Sequence, residues 1–408
     1  MAATIVALAI GACTDTSVPE QSEAAADFQK ELQLRLINAQ AGDVIDIPAG
    51  VHEINRSLSL NVSGVTIRGE GMDKSVLSFK NQLQGAEGML VNASNFTIED
   101  LAIEDTAGDA LKVNDAENIV IRRVRTEWTN GPDEANGAYG IYPVQVENLL
   151  LEECIAIAAS DAGIYVGQSR NVVVRNNRAE FNVAGFEIEN TVGADVYGNL
   201  ATNNTGGILV FNMPDLPQEG HSTRVYQNQI LANNTDNFGA EGTPVASVPA
   251  GSGVLINSND KVEIFDNDIA DNDTANIIIS SYYSTGYHGT RETVEHYDPY
   301  PETIYIYDNR FSGGGNSPDG IELMALKVAL FGLTGSFPDV LWDGFVNSEK
   351  VDANGHLEPE FAICIDDEDV EVLNADLAND SDNITTDSTQ HRCTHAKIPP
   401  VILAIAAN

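Results

Sequence analysis

Tyrosine, lysine and glutamate side chains recur at one position of a repeat in the middle of the chain, where they could bind or deprotonate a sugar. Lys112, Tyr142 and Tyr165 hold this position in three successive repeats. Tyrosine rings combine an apolar surface with a polar edge, and both tyrosine and lysine can transfer protons. We therefore predict that Tyr142, Tyr165 and Lys112 are catalytic. The predicted substrate-binding residues are Tyr139, Gln145, Glu187, Glu189, Phe211, His221 and Arg224.

A repeat of 22 or 23 residues carries these side chains. Glycine begins a short strand-like segment at Gly140, Gly163, Gly185 and Gly207, at spacings of 23, 22 and 22 residues. A fixed period of this length indicates stacked repeats. Alternate residues of each segment are apolar and must face a shared interior, because successive side chains of a strand point to opposite sides. We predict an all-β fold, a right-handed parallel β-helix with about 22–23 residues per rung.

Later segments keep the same phase but are separated by longer intervals. They begin at Gly253, Asn276 and Gly320, so Ile321 and Leu323 are predicted to face the interior of the last rung. The extra residues form loops next to this one column of strands, and such loops are expected to wall a groove over it. The inserted loops are 129–138, 212–222, 235–251 and 281–303.

Asparagine recurs at a second fixed position of the repeat. Asn177 and Asn199 each stand eight residues before the glycine of the next segment. Stacked asparagine side chains can hydrogen-bond to one another and to the backbone at a bend, so these residues are predicted to be structural. Cys154 holds the matching place one rung earlier and is predicted to be buried. The later members of this row are Asn228, Asn267 and Asn309.

The N-terminal residues predict export and lipid attachment. Residues 1–24 have the form of a bacterial lipoprotein signal, in which a short apolar segment and small residues precede Cys13, the residue to be acylated. We expect an exported protein that is lipid-anchored in the bacterial envelope, at the outer membrane or facing the periplasm. Residues 25–40 predict an amphipathic helix that covers the first turn of the β-helix, since open ends of a sheet need a cover.

The C-terminal part predicts a second, smaller cap. The β-helix is predicted to span 41–325 and the cap 326–408, with a helix at 326–333. Cys364 and Cys393 lie in this cap, where an oxidising compartment would allow a disulfide.

Charge restricts the partners of this protein. Sixty-one acidic residues against 21 basic ones give a formal net charge of −40. Such a charge repels nucleic acid and anionic membrane surfaces, so nucleic-acid binding is excluded and membrane contact is expected only through the lipid anchor. Anionic polysaccharides would need calcium or a local basic patch for binding, although no motif indicates calcium. His288 and His296 lack the spacing of a zinc site, so we predict no metal and no other cofactor.

One segment resembles the catalytic rungs of mannuronan C-5 epimerases, which carry Tyr-Gly-Phe/Ile-Asp-Pro-His-Glu/Asp. Tyr139, Gly140 and Pro143 match this motif. The family's aspartate and histidine fall on Tyr142 and Val144, so the acid-base pair of the family is missing here. The resemblance implies a uronan-modifying activity, which would need another base and acid.

The run at 41–50 resembles the start of pectate-lyase-like β-helix proteins, and the chain as a whole resembles bacterial parallel β-helix repeat lipoproteins. This resemblance and the tyrosine row predict an envelope-anchored protein that binds or modifies a carbohydrate, a polysaccharide above all, in a groove on one β-helix face. Two alternatives stay open. The protein could be a uronan C-5 epimerase or polysaccharide lyase, or a non-enzymatic scaffold that docks a partner protein of the envelope.

Overall fold

The computed structural model describes residues 21–367 and 369–405. The predicted lipidation site at Cys13 lies outside these residues. The chain coils through three short strands per turn, and each strand pairs in parallel with the strand one turn later. The structure is therefore a parallel β-helix with three faces, as the repeat predicts.

The first face carries most of the predicted site residues and is called the site face. Its strands are β3 (Arg56–Leu60), β6 (Gln84–Val91), the first parts of β8 (Leu111–Glu127) and β9 (Tyr139–Glu152), β11 (Ala162–Gly167), β14 (Ala184–Glu189), β17 (Gly206–Phe211), β20 (Ser252–Asn257), β23 (Ala275–Ser280), β26 (Val340–Trp342) and β28 (Val372–Asn374).

The second face follows the site face around each turn. Its strands are β1 (Val44–Asp46), β4 (Thr66–Arg68), the first part of β7 (Phe96–Glu104), the middle of β8, the last part of β9, β12 (Arg170–Arg175), β15 (Val192–Tyr197), β18 (His221–Tyr226), β21 (Asp260–Phe265), β24 (Ile304–Tyr307) and β27 (Ile363–Ile365).

The third face closes the turn. Its strands are β2 (Gly50–Glu53), β5 (Ser75–Ser78), the ends of β7 and β8, β10 (Ile155–Ile157), β13 (Arg178–Glu180), β16 (Leu200–Thr202), β19 (Gln229–Leu231), β22 (Asp268–Ala270) and β25 (Arg310–Ser312). The helices of the described residues are α1 (Glu23–Asn38), α2 (Ile321–Phe331) and the short 3₁₀ helices Pro244–Ser247, Tyr282–Ser284, Leu377–Asn379 and Thr389–His391. None of these helices is long and apolar enough to cross a membrane.

Apolar residues of successive rungs stack on one another and fill the interior. Ile141, Ile164, Phe186 and Ile208 occupy paired positions of successive rungs and are fully buried. Helix α1 covers the open N-terminal end with its buried Leu32, two residues earlier in the chain than the predicted helix at 25–40.

Among the described residues, two largely buried asparagine ladders run through the bends. In the predicted one, the Asn177 side-chain amide donates to Asn199 Oδ1 at 3.0 Å, and the same contact links each later member to the next. Cys154 is buried beside the first member, and its backbone N–H donates to Asn177 Oδ1 at 2.8 Å. A second ladder, which the sequence analysis missed, consists of Asn182, Asn204, Asn233 and Asn272. Both ladders satisfy polar groups that would otherwise be buried without partners.

The predicted last rung at Gly320 is wrong. Ile321 begins helix α2 and is 84% exposed, and Val340 of β26 takes the expected place beside Ile277. The run from Ile321 to Phe331 consists mostly of helix-forming residues between two glycines, so its helical preference outweighs the strand pattern. Strand pairing then continues to β28, beyond the predicted boundary at residue 325. Cys364 of β27 is joined to Cys393 by a disulfide.

Candidate functional site

Three tyrosines form a compact cluster on the outer surface of the site face. The register of β8, β9 and β11 places Lys112 beside Tyr142 and brings Tyr165 beside Tyr142 on the next rung. The ring centroids of Tyr142 and Tyr165 are 4.9 Å apart, and Tyr139 lies within 4.8 Å of both rings. Lys112 Nζ lies 4.5 Å from the centre of the Tyr142 ring. The predicted catalytic residues are therefore neighbours.

Three carboxyl groups lie against these rings and are called the carboxyl cluster: Asp161, Glu187 and Glu189. The Tyr165 hydroxyl donates to Glu189 Oε1 at 2.5 Å, and the Tyr139 hydroxyl donates to Asp161 Oδ2 at 3.3 Å. Asp161 and Glu187 lie close enough for each to shift the pKa of the other, and a hydrogen bond between the two carboxyl groups would require a proton on one of them. Asp161 Oδ1 and Glu187 Oε2 are buried and have no hydrogen-bond partner within the described chain.

Burial keeps protons on the carboxyl cluster at neutral pH. Burial first and the charge of Glu189 next raise the pKa of Asp161 to about 8. The pKa of Glu187 lies well above its usual value because of burial and of repulsion by Asp161. The pKa of Glu189 is raised by burial to about 7, although the hydrogen bond from Tyr165 lowers it in part. An acid and a base therefore lie side by side near neutral pH.

The tyrosines are poor bases in this environment. Burial raises the pKa of Tyr139 and Tyr165 well above the usual value, and the nearby carboxylates raise both further. The pKa of Tyr142 is raised for the same reasons, with burial first and the charge of Asp109 next. These three hydroxyls hold their protons at neutral pH, so they can donate hydrogen bonds but cannot abstract a proton.

Two inserted loops pack against each other beside the carboxyl cluster. Val294 N–H donates to the Pro214 carbonyl at 2.9 Å, which joins the loop 281–303 to the loop 212–222. The Tyr287 hydroxyl donates to Asn257 Oδ1 at 3.1 Å on the site face. Arg291 pairs with Asp215 at 3.0 Å. The loops thus form a wall beside the site, as the insertions predict.

Seven predicted residues share this region, and three lie elsewhere. Tyr139, Glu189 and Phe211 stand on the site face with the catalytic candidates. Gln145 is exposed in a left-handed bend with φ 55° at the edge of the face. His221 and Arg224 belong to β18 on the second face, because the chain turns between β17 and β18. The seven predicted residues that lie together at the site are Lys112, Tyr139, Tyr142, Tyr165, Glu187, Glu189 and Phe211.

Arg224 has a structural role on the second face. Its guanidinium binds Asp195 at 3.0 Å and lies 3.5 Å from Glu263, and both carboxylates are buried. His221 Nδ1 contacts the Ser222 hydroxyl at 2.8 Å. Asp161 is the site residue that the sequence analysis missed as a candidate, although it directly precedes the strand β11.

One further acidic group could hold a cation. Oxygens of Asp260, Asp298 and Glu302 all lie within 4.8 Å of one another. Lys350 Nζ binds Asp298 at 2.8 Å and also binds Glu302, so an ammonium group already neutralises part of this charge. Asp298 and Glu302 belong to the loop 281–303, and Asp260 is the first residue of β21 on the second face.

The sequence profile described as the right handed beta helix region matches residues 50–230 and 135–290, more than half of the chain. The chain therefore belongs to the right-handed β-helix family. No curated protein sequence matches it.

Solved structures of similar fold include two bacterial proteins. The A-module of mannuronan C-5 epimerase AlgE4 from Azotobacter vinelandii is 18% identical, with 72% of this chain and 86% of that chain covered and a TM-score of 0.47. DFA-IIIase from Arthrobacter chlorophenolicus A6, in complex with DFA-III, is 11% identical, with coverage of 79% and 88% and a TM-score of 0.45. These similarities are at the level of the fold.

Proposed function

We propose that this chain binds a neutral glycan on its site face and cleaves or transfers a glycosidic bond with its carboxyl cluster. The observation that carries the proposal is the group of three carboxyls with raised pKa values, Asp161, Glu187 and Glu189, which lie against three tyrosines. Asp161 and Glu187 are buried, and Glu189 is half-buried. A large shift of pKa by burial and by neighbouring charge is typical of functional sites.

Cleavage of a glycosidic bond needs one protonated and one ionised carboxyl group. Asp161 and Glu187, both with raised pKa values, keep a proton at neutral pH and supply the acid. Glu189, with its pKa of about 7, is ionised in part at neutral pH and supplies the base or nucleophile. Tyr139 and Tyr142 are half-buried and offer ring surface to a sugar. Tyr165 is only 4% exposed, and its hydroxyl donates a hydrogen bond to Glu189.

A neutral glycan suits this site better than a uronan. The carboxylate of a uronate would enter beside three carboxyl groups, and Lys112 is the cation of the tyrosine row. Lys112 Nζ already lies 3.7 Å from Asp109. Tyr139 and Tyr165 also hold their protons too tightly to act as the base that removes the carbon-bound proton in epimerisation or elimination.

Attachment to the bacterial envelope through acylated Cys13 is part of the proposal. The signal at 1–24 supports it. The disulfide between Cys364 and Cys393 supports an oxidising compartment, because cytosolic thiols are kept reduced.

The test uses the full chain with Cys13→Ser, which cannot be acylated. A panel of neutral glycans and uronans is followed by release of reducing ends, by absorbance of unsaturated uronate and by exchange of the C5 proton. We expect reducing ends from a neutral glycan, and a loss of at least about 100-fold in kcat for Glu189→Gln, the usual size of a general acid-base contribution. Glu147→Gln changes an exposed carboxylate outside the site and serves as the matched control.

The other functions have distinct results. Unsaturated uronate or C5 exchange that disappears in Tyr142→Phe would establish a uronan lyase or epimerase in place of the proposed activity. The absence of turnover and of glycan binding across the panel would support the scaffold that docks an envelope partner.

A further inference from the structure

The site face contains an apolar cavity that begins one strand beyond Glu189. Its volume is about 200 Å³. Phe211, Leu255, Ile278 and Leu341 form its floor on four strands of the site face. In the strand register, Glu189 pairs with Phe211, so the carboxyl cluster and the cavity are adjacent on the same surface.

The outer surface of the site face changes from polar to apolar at this point. The row of Tyr165 and Glu187 continues, one strand after another, as Leu209, Leu255 and Ile278. These apolar side chains pack outside the β-helix, in a cluster separate from the interior core. A molecule that lies on both halves of the face must therefore carry a polar part and an apolar part.

The cavity has a roof and a polar edge. Helix α2 contributes Leu323 and Leu326 to its lining, and the loop 281–303 contributes Tyr287. The Tyr287 hydroxyl is bound to Asn257, whose strand follows that of Phe211. The pKa of Tyr287 is raised first by burial, then by Tyr297 and then by the charges of Glu189 and Glu187. This ring therefore lies within electrostatic range of the carboxyl cluster. Exposed Ser247 lies at the edge of the cavity.

We infer that the cavity binds the apolar group, an alkyl or acyl chain, of a glycoside whose sugar lies on the carboxyl cluster. This inference rests on the proposed function and narrows its substrate class to amphipathic glycosides. An apolar cavity of this kind binds water poorly, because a buried water molecule needs two or more polar hydrogen-bond partners. Its volume equals that of about seven liquid water molecules, at ~30 Å³ each, and so suits a chain of about seven carbons.

The experiment measures binding of a series of alkyl glucosides, from methyl to decyl, to the full chain with Cys13→Ser. Calorimetry below the micelle concentration gives each Kd. We expect affinity to rise about fourfold for each added methylene, and to level off near seven carbons, as burial of methylene groups in a cavity of fixed size predicts. Binding at one affinity for every chain length would overturn the inference and leave the proposed function standing.

Variants on and around helix α2 locate the chain. Leu326→Trp fills the cavity from its roof. We expect this variant to bind the methyl glucoside but to lose the increase in affinity with chain length. Leu330→Trp adds the same ring at a position of α2 that is 43% exposed, and its affinity should still increase fully with chain length. Ser247→Trp, on an exposed residue at the cavity edge, gives a second block that does not disturb α2. A gain with chain length that survives both blocking variants would overturn the inference.

A series of 1-alkanols separates the two proposals. Glycosides should bind more tightly than alkanols of the same length, because the sugar adds its own contacts. Equal affinities would overturn the inference, since the sugar would then lie outside the site. Tight, length-dependent glycoside binding without any bond cleavage would support the inference and contradict the catalytic part of the proposed function.

Discussion

The Tyr165 hydroxyl offsets part of the effect of burial on the pKa of Glu189. It donates to Glu189 Oε1 at 2.5 Å and also accepts a hydrogen bond from Gln168 Nε2 at 3.1 Å. A donated hydrogen bond stabilises the ionised carboxylate and lowers its pKa, which opposes the effect of burial. Glu189 can therefore ionise near pH 7 although it is enclosed.

The pH dependence of kcat/KM should follow these two carboxyls. We expect the rate to rise as Glu189 ionises around pH 7 and to fall as the Asp161 pair loses its proton around pH 8. Tyr165→Phe removes the hydrogen bond that lowers the pKa of Glu189, so this pKa must rise and the acidic limb must move to higher pH. A pH–rate profile of both proteins checks the shift.

Tyr142→Phe is the control for this profile. Tyr142 belongs to the same ring cluster as Tyr165, but the hydrogen bond to Glu189 comes from Tyr165. Removal of the Tyr142 hydroxyl should change kcat/KM without moving the acidic limb of the pH profile. An acidic limb at the same pH in Tyr165→Phe and the parent protein would show that Glu189 is not the group that ionises there.

The sequence predicted most of this site because strand register fixes it. Once the period is known, Tyr142, Tyr165 and Glu187 must stand on neighbouring rungs with their side chains on the same surface. Asp161 escaped prediction as a candidate because it lies in the bend before β11, where no alternation shows its direction. The raised pKa values depend on burial by loops whose path the sequence does not reveal.

At the level of elements, the asparagine ladders hold the bends between strands. Asn199 accepts hydrogen bonds from the backbone N–H and the side-chain amide of Asn177, at 2.9 and 3.0 Å. It donates to Val174 O and to Asn228 Oδ1, both at 3.0 Å. Each rung is therefore tied to the next by side chains as well as by strand pairing.

Loss of one ladder member should destabilise the whole β-helix. Asn199→Ala removes the acceptor of the buried Asn177 N–H and the side-chain donor to Val174 O, and we expect a loss of about 2–4 kcal/mol in the free energy of unfolding. Denaturant unfolding measures this loss. Asn61→Ala removes an exposed asparagine outside both ladders and should change stability by no more than about 0.5 kcal/mol. Equal effects of the two substitutions would contradict the ladder's role.

Element boundaries were harder to predict than the repeat itself. The ladder from Asn177 to Asn309 was recognised because its members keep one phase. Helix α2 was mistaken for a rung because Gly320 and Ile321 imitate the start of a strand segment. Over a long interval the period no longer constrains the chain, so local helix preference decides its structure.

The whole molecule is strongly acidic and is cross-linked near its C-terminus by the disulfide between Cys364 and Cys393. Its formal net charge of −40 favours solubility and opposes binding to anionic surfaces. The disulfide at Cys393 holds the start of the C-terminal segment, which then lies along the second face. Ile398 N–H donates there to Glu263 at 2.8 Å, and Val401 N–H donates to Asp195 at 3.2 Å. A protein so acidic needs an anchor other than charge to stay at a membrane.

Acylation of Cys13 should provide that anchor. When the full chain is made in a bacterium with an envelope, we expect it to take up a labelled fatty acid and to partition into detergent, because each buried methylene contributes about 0.8 kcal/mol. Cys13→Ser should lose the label and the partitioning, because serine lacks the thiol that would carry the acyl chain. Cys154→Ala removes a buried thiol and should keep both properties. A Cys13→Ser protein that still carries the label would exclude Cys13 as the acylated residue, and a parent protein without label would contradict lipid anchoring altogether.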